Sequence, residues 1–367
     1  MKILIVPSYD SFGGTRTFFL KLLNIHTEAE IETGVIIEKK LRDMEILNIL
    51  AKKDVTVFTT YNRSRLFTKP KFSWLSDIVS VLYGFVKFSP DIIVISNAKP
   101  GIMLGALIFP VPVIYIMHAY PRIKHERFLH FPWPFIFSFP KNYFATVSKY
   151  SANLISRNMG IALENIKVIH NSYGKVAKKE SGGMPLVLTL GHVIQYKNTE
   201  AWLKVAKNVI KKKPETIFIW LGDGPELESM RQQVKLEGYE RNIFFKGYCS
   251  DVLKYYAKAW VYFQPSLIEN HGISIVEAMA HGLPCVCSNV GGMPESVTDK
   301  ETGYLCNPED INGFTQKIIS LIENQDLRNK MGNAARIKAL NSFSENTQKQ
   351  NILQLYKTAL SPHKNPN

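Results

Sequence analysis

The chain has 367 residues, of which 46% are hydrophobic and 21% are charged, as in an ordinary globular protein. This length is more than one hydrophobic core commonly organises, so we expect two domains of about 150–200 residues. Residues 1–180 hold 24 lysines and arginines against 13 acidic residues, whereas the remainder holds 21 against 18. The net charge of +14 therefore lies mainly in the first half, which predicts an anionic partner such as nucleic acid, an acidic membrane or a phosphorylated lipid.

We expect neither a signal peptide nor a membrane-spanning segment. The first residues, MKILIVP, are typical of a buried strand. The longest apolar stretch, residues 101–117, is interrupted by Pro110 and Pro112 and is shorter than the roughly 20 residues that span a bilayer. The four cysteines have no paired CxxC spacing, so we expect buried thiols in a reducing cytosol and no metal site.

Short β-branched or aromatic runs alternate with helical patterns, which predicts a parallel α/β sheet covered by helices on both faces. The polar, glycine-rich segment 171–185 is the best candidate for a linker, and the alternation restarts after it. The predicted domains are 1–178 and 179–343, followed by a helical segment, 344–367. The predicted strands are 2–7, 34–37, 55–58, 91–95, 112–117, 143–147, 186–191, 216–221, 242–245, 260–264 and 284–288.

Three loops of the second domain follow predicted strands and should open on one edge of the sheet, where ligands of such sheets bind. Lys197 in the first loop can supply a cation to a phosphate, although a lysine in a loop is often only a solvated surface residue. The helix that begins near Gly272 offers unpaired N–H groups and a positive dipole end, which favour an anion. These loops carry Gly191, His192, Lys197, Asn198, Gly222, Asp223 and the segment 265–272.

Two glutamates flank the start of this helix, Glu269 before it and Glu277 within it. At about 100° per residue, Glu277 lies one and a half turns inside the helix, on a face near the preceding loop. One carboxylate can bind hydroxyls at the helix start and the other can bind hydroxyls deeper in. A nucleotide sugar, with a polyol on each side of a pyrophosphate, fits this spacing. The alternative is a capping carboxylate beside a solvated helix glutamate.

The segment 265–310 resembles the signature of family-4 retaining glycosyltransferases of the GT-B fold. Its E-x7-E pair and the motifs EAMAHGLP, GGMPE and TGYL follow in the order typical of that family. Further similarity lies at 11–23, 147–155, 166–172 and 221–226, so the resemblance covers nearly the whole chain. It implies two Rossmann-like doubly wound domains facing across a cleft, with the segment 344–367 returning as a helix to the N-terminal domain.

The resemblance also implies roles for individual residues. Glu269 would bind the donor sugar, Lys197 the pyrophosphate and Glu277 the ribose. His118 would lie near the sugar, with a structural histidine at a strand end as the alternative. The other residues that the resemblance implies in donor binding are Gly13, Gly14, Gly191, His192, Gly222, Asp223, Tyr248, Asn270, His271, Gly272 and Ile273.

Two positions depart from the family pattern. His192 stands where the family usually has an arginine, and imidazole is a weaker, titratable partner for a phosphate. Arg16 is a candidate substitute for that arginine. The HNS sequence at 170–172 replaces the usual NG, which puts the geometry of the interdomain turn in question.

The sequence contains no Asp-x-Asp triplet, so we expect metal-independent transfer with retention, without a cofactor. Lys197 and the helix amides would then stabilise the leaving nucleotide. From family frequency we expect a UDP-sugar donor first and GDP-mannose second, with a hexose or N-acetylhexosamine transferred.

Two basic segments predict the acceptor and the location of the protein. Residues 61–74 carry four basic and no acidic residues, and residues 122–144 interleave basic and aromatic side chains. This composition is typical of a surface on anionic lipid headgroups. We therefore expect a lipid-linked glycan acceptor, as in surface-polysaccharide or lipopolysaccharide synthesis, and a peripheral location on the cytoplasmic membrane face. The alternative for the aromatic segment is a buried strand or a loop packed on the core.

Three rival functions are weaker. A nucleotide-sugar epimerase would share the fold. A phosphorylase would need a lysine that anchors pyridoxal phosphate, and no sequence context indicates one. A nucleic-acid-binding module suits the basic first half, but no motif of that class is present, so we expect no nucleic-acid partner.

Overall fold

The computed structural model describes residues 1–7, 13–37, 44–59, 73–96, 108–118, 141–180 and 182–361. The chain forms two compact units. The first consists of Met1–Ile169 with Lys349–Asn367, and the second of His170–Gln348. The sequence placed the corresponding boundaries after residues 178 and 343.

The first unit contains a sheet of seven parallel strands. They are β1 (Lys2–Val6), β2 (Glu32–Ile37), β3 (Thr56–Thr59), β4 (Ile92–Ser96), β5 (Val113–Met117), β6 (Asn142–Thr146) and β7 (Ile166–Val168). Their order across the sheet is β3-β2-β1-β4-β5-β6-β7. The order reverses direction between β1 and β4, and this reversal is the point at which doubly wound sheets bind ligands.

Helices cover both faces of this sheet because its central strands are apolar at most positions and buried at nearly all of them. The helices are α1 (Gly14–Glu28), α2 (Met44–Lys52), α3 (Ser73–Phe88) and α4 (Lys149–Met159). Ile3 and Ile5 pack on the face that α1 covers, while Leu4 and Val6 face the α3 side. Side chains alternate between the two faces of a strand, so each central strand contributes to both layers.

The second unit contains a sheet of six parallel strands. They are β8 (Leu186–Leu190), β9 (Ile217–Leu221), β10 (Ile243–Gly247), β11 (Val261–Gln264), β12 (Cys285–Ser288) and β13 (Gly303–Cys306). The order is β10-β9-β8-β11-β12-β13, so the direction reverses between β8 and β11. The loops after these two strands therefore define the expected ligand-binding edge.

The described part of the second unit contains seven α-helices. They are α5 (Thr199–Lys212), α6 (Leu227–Leu236), α7 (Leu253–Lys258), α8 (Ile273–Ala280), α9 (Met293–Ser296), α10 (Ile311–Glu323) and α11 (Gln325–Ser342). Ile275 and Met279 of α8 share a buried cluster with Tyr262 of β11. The even-numbered side chains of β11 therefore point toward α8.

A final helix, α12 (Glu345–Leu360), supplies apolar side chains to the core of the first unit. The Tyr356 hydroxyl lies 2.9 Å from Nε2 of His26, whose Nδ1 lies 2.9 Å from the Thr33 hydroxyl. Burial lowers the pKa of His26 to about 3. Both ring nitrogens of this neutral histidine are therefore bonded inside the core.

The predicted doubly wound α/β architecture is confirmed, and each of the eleven predicted strands is present. Two edge strands, β7 and β13, were not predicted, because β7 is only IKV with a central lysine and β13 begins with a glycine. The segment 171–180, part of the predicted linker, belongs to the second unit, where Tyr173 and Glu180 donate backbone hydrogen bonds. Three of the four cysteines are buried free thiols, as predicted, and Cys249 is half-buried.

Candidate functional site

The loops that follow β8 and β11 approach each other at the carboxyl edge of the second sheet. Lys197 ends a short 3₁₀ turn after β8, and Glu269 lies five residues beyond the end of β11. The Leu267 N–H donates to the Tyr196 carbonyl over 2.8 Å, which ties the two loops together. The predicted convergence of these loops is therefore present.

Close backbone approach shapes the neighbouring loop after β9. Gly222 has φ +139°, and a Cβ atom at this position would lie 2.1 Å from the Gly191 carbonyl oxygen. Only glycine fits there, because any side chain would overlap the backbone of the first loop. The glycines that the sequence assigned to donor binding thus allow the loops after β8 and β9 to touch.

Lys197 and Glu269 form an ion pair through Nζ and Oε2. Their side chains are only 12% and 16% exposed. Burial alone would lower the pKa of Lys197, but the Glu269 carboxylate outweighs it and raises that pKa above its ordinary value. The ammonium is therefore fully charged at neutral pH. The sequence assigned these residues to different parts of a ligand, and without that ligand they neutralise each other.

A glycine in the GGMPE motif brings a third loop against Glu269. Gly291 has φ +60°, and a Cβ atom there would lie 2.0 Å from the Glu269 carbonyl oxygen. The same carbonyl accepts a hydrogen bond from the Gly292 N–H over 2.9 Å. The motif after β12 therefore fixes the backbone that carries the Glu269 carboxylate.

Helix α8 begins beside this carboxylate with its first N–H groups directed to the loop. Gly272 precedes the helix, and no side chain of the described residues caps its amino end. The His271 ring turns away, because it is buried 4.8 Å from the ring of His170 and 5.2 Å from the ring of Phe343. At Asn270, His271, Gly272 and Ile273 the backbone, rather than the imidazole, is thus placed to bind an anion.

Glu277 lies one turn further along α8 and is half-buried. Its Oε2 accepts a hydrogen bond from the Tyr256 hydroxyl over 3.1 Å. Burial, together with the charge of Glu277, raises the pKa of Tyr256 well above its ordinary value, so this hydroxyl stays a donor. The ring of Tyr256 stacks on His281 at 4.6 Å. The second glutamate is therefore held in place rather than freely solvated.

Asp223 and Tyr248 meet at the far side of the same edge. The Tyr248 N–H donates to Asp223 Oδ1 over 2.9 Å, and the Val193 N–H donates to the Asp223 carbonyl over 3.0 Å. Asp223 therefore holds three loops in register. His192 is half-buried, and burial, with the nearby Lys197, lowers its pKa. An imidazole in this position carries little charge at neutral pH.

The remaining predicted residues belong to the first unit. Gly13 and Gly14 lie at the start of α1, where the Thr17 N–H donates to the Gly13 carbonyl over 3.1 Å. His118 directly follows β5 and is buried with its ring 4.4 Å from the ring of Phe18. Burial lowers the pKa of His118 to about 4, so it is neutral at physiological pH. Arg16 lies in the first turn of α1.

Sequence reasoning missed a set of buried and half-buried polar side chains behind Glu269. They are Tyr262, Gln264, Ser266 and Ser274, joined by hydrogen bonds of 2.7–3.3 Å. The available signal was the sequence VYFQ, because a glutamine at the end of a buried central strand needs polar partners. Among the described residues, no group of three or more histidine, cysteine or acidic side chains could hold a metal ion.

Comparison with known proteins finds a sequence family that is similar to most of the second unit. Residues 175–338 match the family model described as Glycosyl transferases group 1. N-acetyl-alpha-D-glucosaminyl L-malate synthase of Bacillus anthracis is 30% identical over 188 residues, 49% of this chain and 47% of that protein. The 2-deoxystreptamine N-acetyl-D-glucosaminyltransferase of Niallia circulans is 29% identical over 181 residues, 49% of this chain and 46% of that protein. The matched part thus spans about half the length of these curated relatives.

Solved structures match over almost the whole chain. A glycosyltransferase from Rickettsia africae has a TM-score of 0.80 and 17% identity, covering 99% of both chains. HepE of Anabaena, crystallised with UDP and glucose, has a TM-score of 0.79 and 20% identity, covering 98% of this chain and 100% of its own. At these identities the likeness establishes the fold, and the predicted GT-B class is confirmed.

Proposed function

We propose that this chain transfers a sugar from a nucleotide sugar to a saccharide acceptor, because its residues 175–338 match the family model described as Glycosyl transferases group 1. The observation that carries the proposal is the Lys197–Glu269 ion pair beside the open amino end of α8. The pair offers a cation for a diphosphate and a carboxylate for sugar hydroxyls. Glu277, one turn along α8, offers a second carboxylate for the ribose.

Donor binding would exchange the partners of the ion pair. Lys197 would turn from Glu269 to the diphosphate, which carries more negative charge than one carboxylate. The α8 amides at Gly272 and Ile273 would share that diphosphate. Glu269 would then be free to accept hydrogen bonds from the sugar. For Gly13, Gly14 and His118 of the first unit, the roles implied by the resemblance stay predictions.

The chemistry we propose is transfer with retention and without a metal ion. The acceptor hydroxyl oxygen would bond to the anomeric carbon on the face that the diphosphate leaves. The bond between that carbon and the donor phosphate oxygen would break, and the departing oxygen would take the hydroxyl proton. Lys197 and the α8 amides would stabilise the charge on the leaving nucleoside diphosphate. Glu269 would position the sugar, and no side chain would act as a nucleophile.

For the donor we propose a UDP-linked hexose or N-acetylhexosamine, with GDP-mannose as the second choice. Support comes from HepE, crystallised with UDP, and from the two relatives whose names include N-acetylglucosaminyl groups. A Mycolicibacterium smegmatis relative, 27% identical over 183 residues, is named as a GDP-mannose-dependent mannosyltransferase.

The test is a panel of nucleotide sugars incubated with the protein in EDTA, with and without a glycan acceptor. We expect slow release of nucleoside diphosphate from one donor, and Glu269→Gln and Glu277→Gln should each reduce it. Release of an epimerised sugar would identify an epimerase instead. Turnover that is unchanged in both variants would contradict the proposal, and turnover that required a divalent cation would contradict its metal-independent form.

We further propose a lipid-linked acceptor at the cytoplasmic membrane face, as in surface-polysaccharide or lipopolysaccharide synthesis. Support comes from the basic excess of the first half and from an apolar stripe on α3. Val79, Tyr83 and Val86 are 46%, 44% and 70% exposed and recur at helical spacing. An amphipathic face with basic residues nearby suits an anionic lipid surface. In the described part of the chain, no helix has the length and apolarity to cross a bilayer.

Vesicle flotation tests this surface. The basic residues that the sequence singled out, Lys69, Lys71, Arg122 and Lys124, lie outside the described residues but can still be substituted. The wild type should float with phosphatidylglycerol vesicles and less with phosphatidylcholine vesicles. Neutralising these four residues, or changing Val86→Ser with Tyr83→Ser, should reduce flotation. Equal flotation of all three proteins would contradict the membrane role.

A further inference from the structure

Gln264 is an unusual residue for its place in the second unit. It ends β11, a strand with neighbours on both sides, and its side chain is 1% exposed. A buried amide costs free energy unless all of its hydrogen-bonding groups have partners, and an aliphatic residue would pack here without that cost. The position therefore calls for a reason other than packing.

Every group of this amide is bonded. Nε2 donates to Glu269 Oε2 over 2.9 Å and to the Ser266 hydroxyl over 3.2 Å. Oε1 accepts from the Tyr262 hydroxyl over 2.7 Å and from the Ser274 hydroxyl over 3.3 Å. The carboxylate of Glu269 can only accept, so the nitrogen end of the amide must face it, and the orientation is unique.

The partners of Gln264 are themselves fixed. Tyr262 is fully buried, and burial raises the pKa of its hydroxyl well above the ordinary value, so the hydroxyl retains its proton. The same hydroxyl lies 2.8 Å from the Ser274 Oγ. Ser274 belongs to the first turn of α8, the helix whose amino end we propose as the diphosphate site. The amide therefore connects the sheet, the start of α8 and Glu269.

The two carboxylate oxygens of Glu269 therefore have different hydrogen-bonding environments. Oε2 receives hydrogen bonds from both Gln264 and Lys197. Within the described part of the chain, no hydrogen bond or ion pair engages Oε1. When Lys197 turns to a diphosphate, Gln264 remains as the donor that holds Oε2. Oε1 would then be available to the sugar hydroxyls, with the carboxylate still held through Oε2.

We propose that Gln264 is a positioning residue that holds the Glu269 carboxylate for the donor sugar, backed by Tyr262 and Ser274. This role rests on the proposed transferase function. It predicts that Gln264 affects the rate of sugar transfer more than the grip on the nucleotide, because the amide contacts Glu269 and no group that we assign to the diphosphate.

The first test compares Gln264→Met with the wild type in donor hydrolysis and in UDP affinity. We expect kcat to fall by about tenfold to a hundredfold, the range seen when a hydrogen bond that orients a metal ligand is lost. UDP affinity should change by less than about threefold, roughly 0.7 kcal/mol. Tyr262→Phe should reduce kcat in the same direction but by less, since the amide keeps its other bonds.

Asn242→Leu is the matched control. The Asn242 amide also donates two hydrogen bonds, to the carbonyls of Pro214 and Thr216, over 2.8 and 2.9 Å. It immediately precedes β10, at the amino edge of the same sheet. Its loss should lower stability without changing kcat or UDP affinity of the folded protein. A comparable loss of kcat in both variants would mean that Gln264 has only a structural role and would overturn the proposal.

Gln264→Glu tests the role through the pH dependence of stability and activity, which a change in packing alone would not alter. It places a second carboxylate against Glu269 Oε2, and like charges this close raise the pKa of the pair. A raised folded-state pKa means that stability present at low pH is lost as pH rises, so the stability deficit of this variant should widen between about pH 5 and pH 8. Its activity, relative to the wild type, should recover toward acidic pH, where the protonated carboxyl can donate as the amide does.

These outcomes separate the two proposals. A wild-type protein that turns over no nucleotide sugar would overturn the proposed function and this role together. A Gln264→Met protein as active as the wild type, or a Gln264→Glu protein with the wild-type pH profiles of activity and stability, would overturn this role alone.

Discussion

At the carboxyl edge of the second sheet, the polar side chains of the candidate site form hydrogen bonds with one another. In the first sheet, the candidate residue His118 is instead packed into the core. Lys197, Glu269 and Gln264 form a chain of charged and amide groups with mutual hydrogen bonds. His118, by contrast, is buried and neutral, with its ring packed against the ring of Phe18. An ion pair can exchange its partner for a charged ligand, whereas a neutral, buried imidazole brings no charge to such an exchange.

This contrast predicts two kinds of mutational response. Substitutions at the polar edge should change turnover strongly and report on ligand binding. Substitutions at His118 and its packing neighbours in the first sheet should change stability, and loss of the histidine should change its dependence on pH. The contrast would fail if substitutions in the first sheet changed turnover strongly, or if those in the second sheet changed only stability.

The largest effect should follow from Lys197→Met. Loss of a preorganised cation that stabilises a leaving group costs about 10²–10³ in turnover. The unpaired Glu269 carboxylate should also lower the free energy of unfolding by about 2–3 kcal/mol, since the pair is largely but not fully buried. Donor hydrolysis and urea unfolding measure the two effects.

The double variant Lys197→Met with Glu269→Gln separates these effects. It leaves no uncompensated charge, so stability should return toward the wild type while turnover stays low. If stability did not recover, the ion pair would not be the source of the loss in the single variant.

The next largest effect is expected at Gly291→Ala. A left-handed alanine alone costs about 1–2 kcal/mol, and here its Cβ would also overlap the Glu269 carbonyl at 2.0 Å. We expect a loss of at least about 3 kcal/mol, typical of a strained, overpacked site, with reduced turnover because Glu269 must move. Thermal unfolding and donor hydrolysis are the measurements.

Gly238→Ala is its matched control. Gly238 has φ +75°, and among the described residues a Cβ there meets no heavy atom within 4 Å. This variant should show only the backbone cost, about 1 kcal/mol, and full activity. Equal losses of unfolding free energy in the two variants would indicate that overlap with the Glu269 carbonyl does not destabilise Gly291→Ala.

The contrast between the edges also explains what could be predicted from the sequence. The strands could be predicted because central parallel strands are buried on both faces and read as continuous apolar runs. The loop glycines and both glutamates stood in a recognisable order. The edge strands β7 and β13 could not, because a lysine in β7 and a glycine at the start of β13 interrupt the apolar pattern.

The side-chain hydrogen bonds within the site could not be predicted from the sequence, for a different reason. Lys197 and Glu269 are 72 residues apart, and their pairing depends on how two loops meet once the sheet has formed. The sequence predicted Gln264 only as the last residue of a strand. Its hydrogen bond to Glu269 becomes visible only in the structure. Side-chain contacts between loops follow from tertiary structure, which local patterns do not encode.

A smaller effect is expected from His118→Gln in the first unit. The pKa of His118 is about 4 in the folded protein and about 6.5 when unfolded. Between these values the unfolded chain binds more protons, so this histidine makes stability fall as pH falls from 6.5 to 4. Its removal should flatten that dependence by on the order of 3 kcal/mol in total.

Urea unfolding at pH 4.5, 5.5, 6.5 and 7.5, followed by circular dichroism, measures this dependence. Phe18→Leu is the control, because it removes ring contacts while keeping both the titrating group and an apolar neighbour against it. That variant should be less stable at every pH with the wild-type slope. If His118→Gln kept the wild-type slope as well, the histidine would be protonated in the folded protein and not neutral in the core.

The smallest effect concerns His192, where the family usually has an arginine. Burial and Lys197 lower the pKa of His192, so at pH 7.5 it adds almost no charge to the diphosphate site. His192→Gln should therefore bind UDP nearly as tightly as the wild type. His192→Arg should bind about threefold to tenfold tighter, roughly 1 kcal/mol, because it adds a permanent cation beside Lys197. Isothermal titration at low and high salt distinguishes the sources, since the gain from a partly exposed charge should shrink as salt screens it. A large loss of affinity in His192→Gln would mean instead that the neutral imidazole bonds the nucleotide directly, and the polar edge would then include one more exchangeable partner.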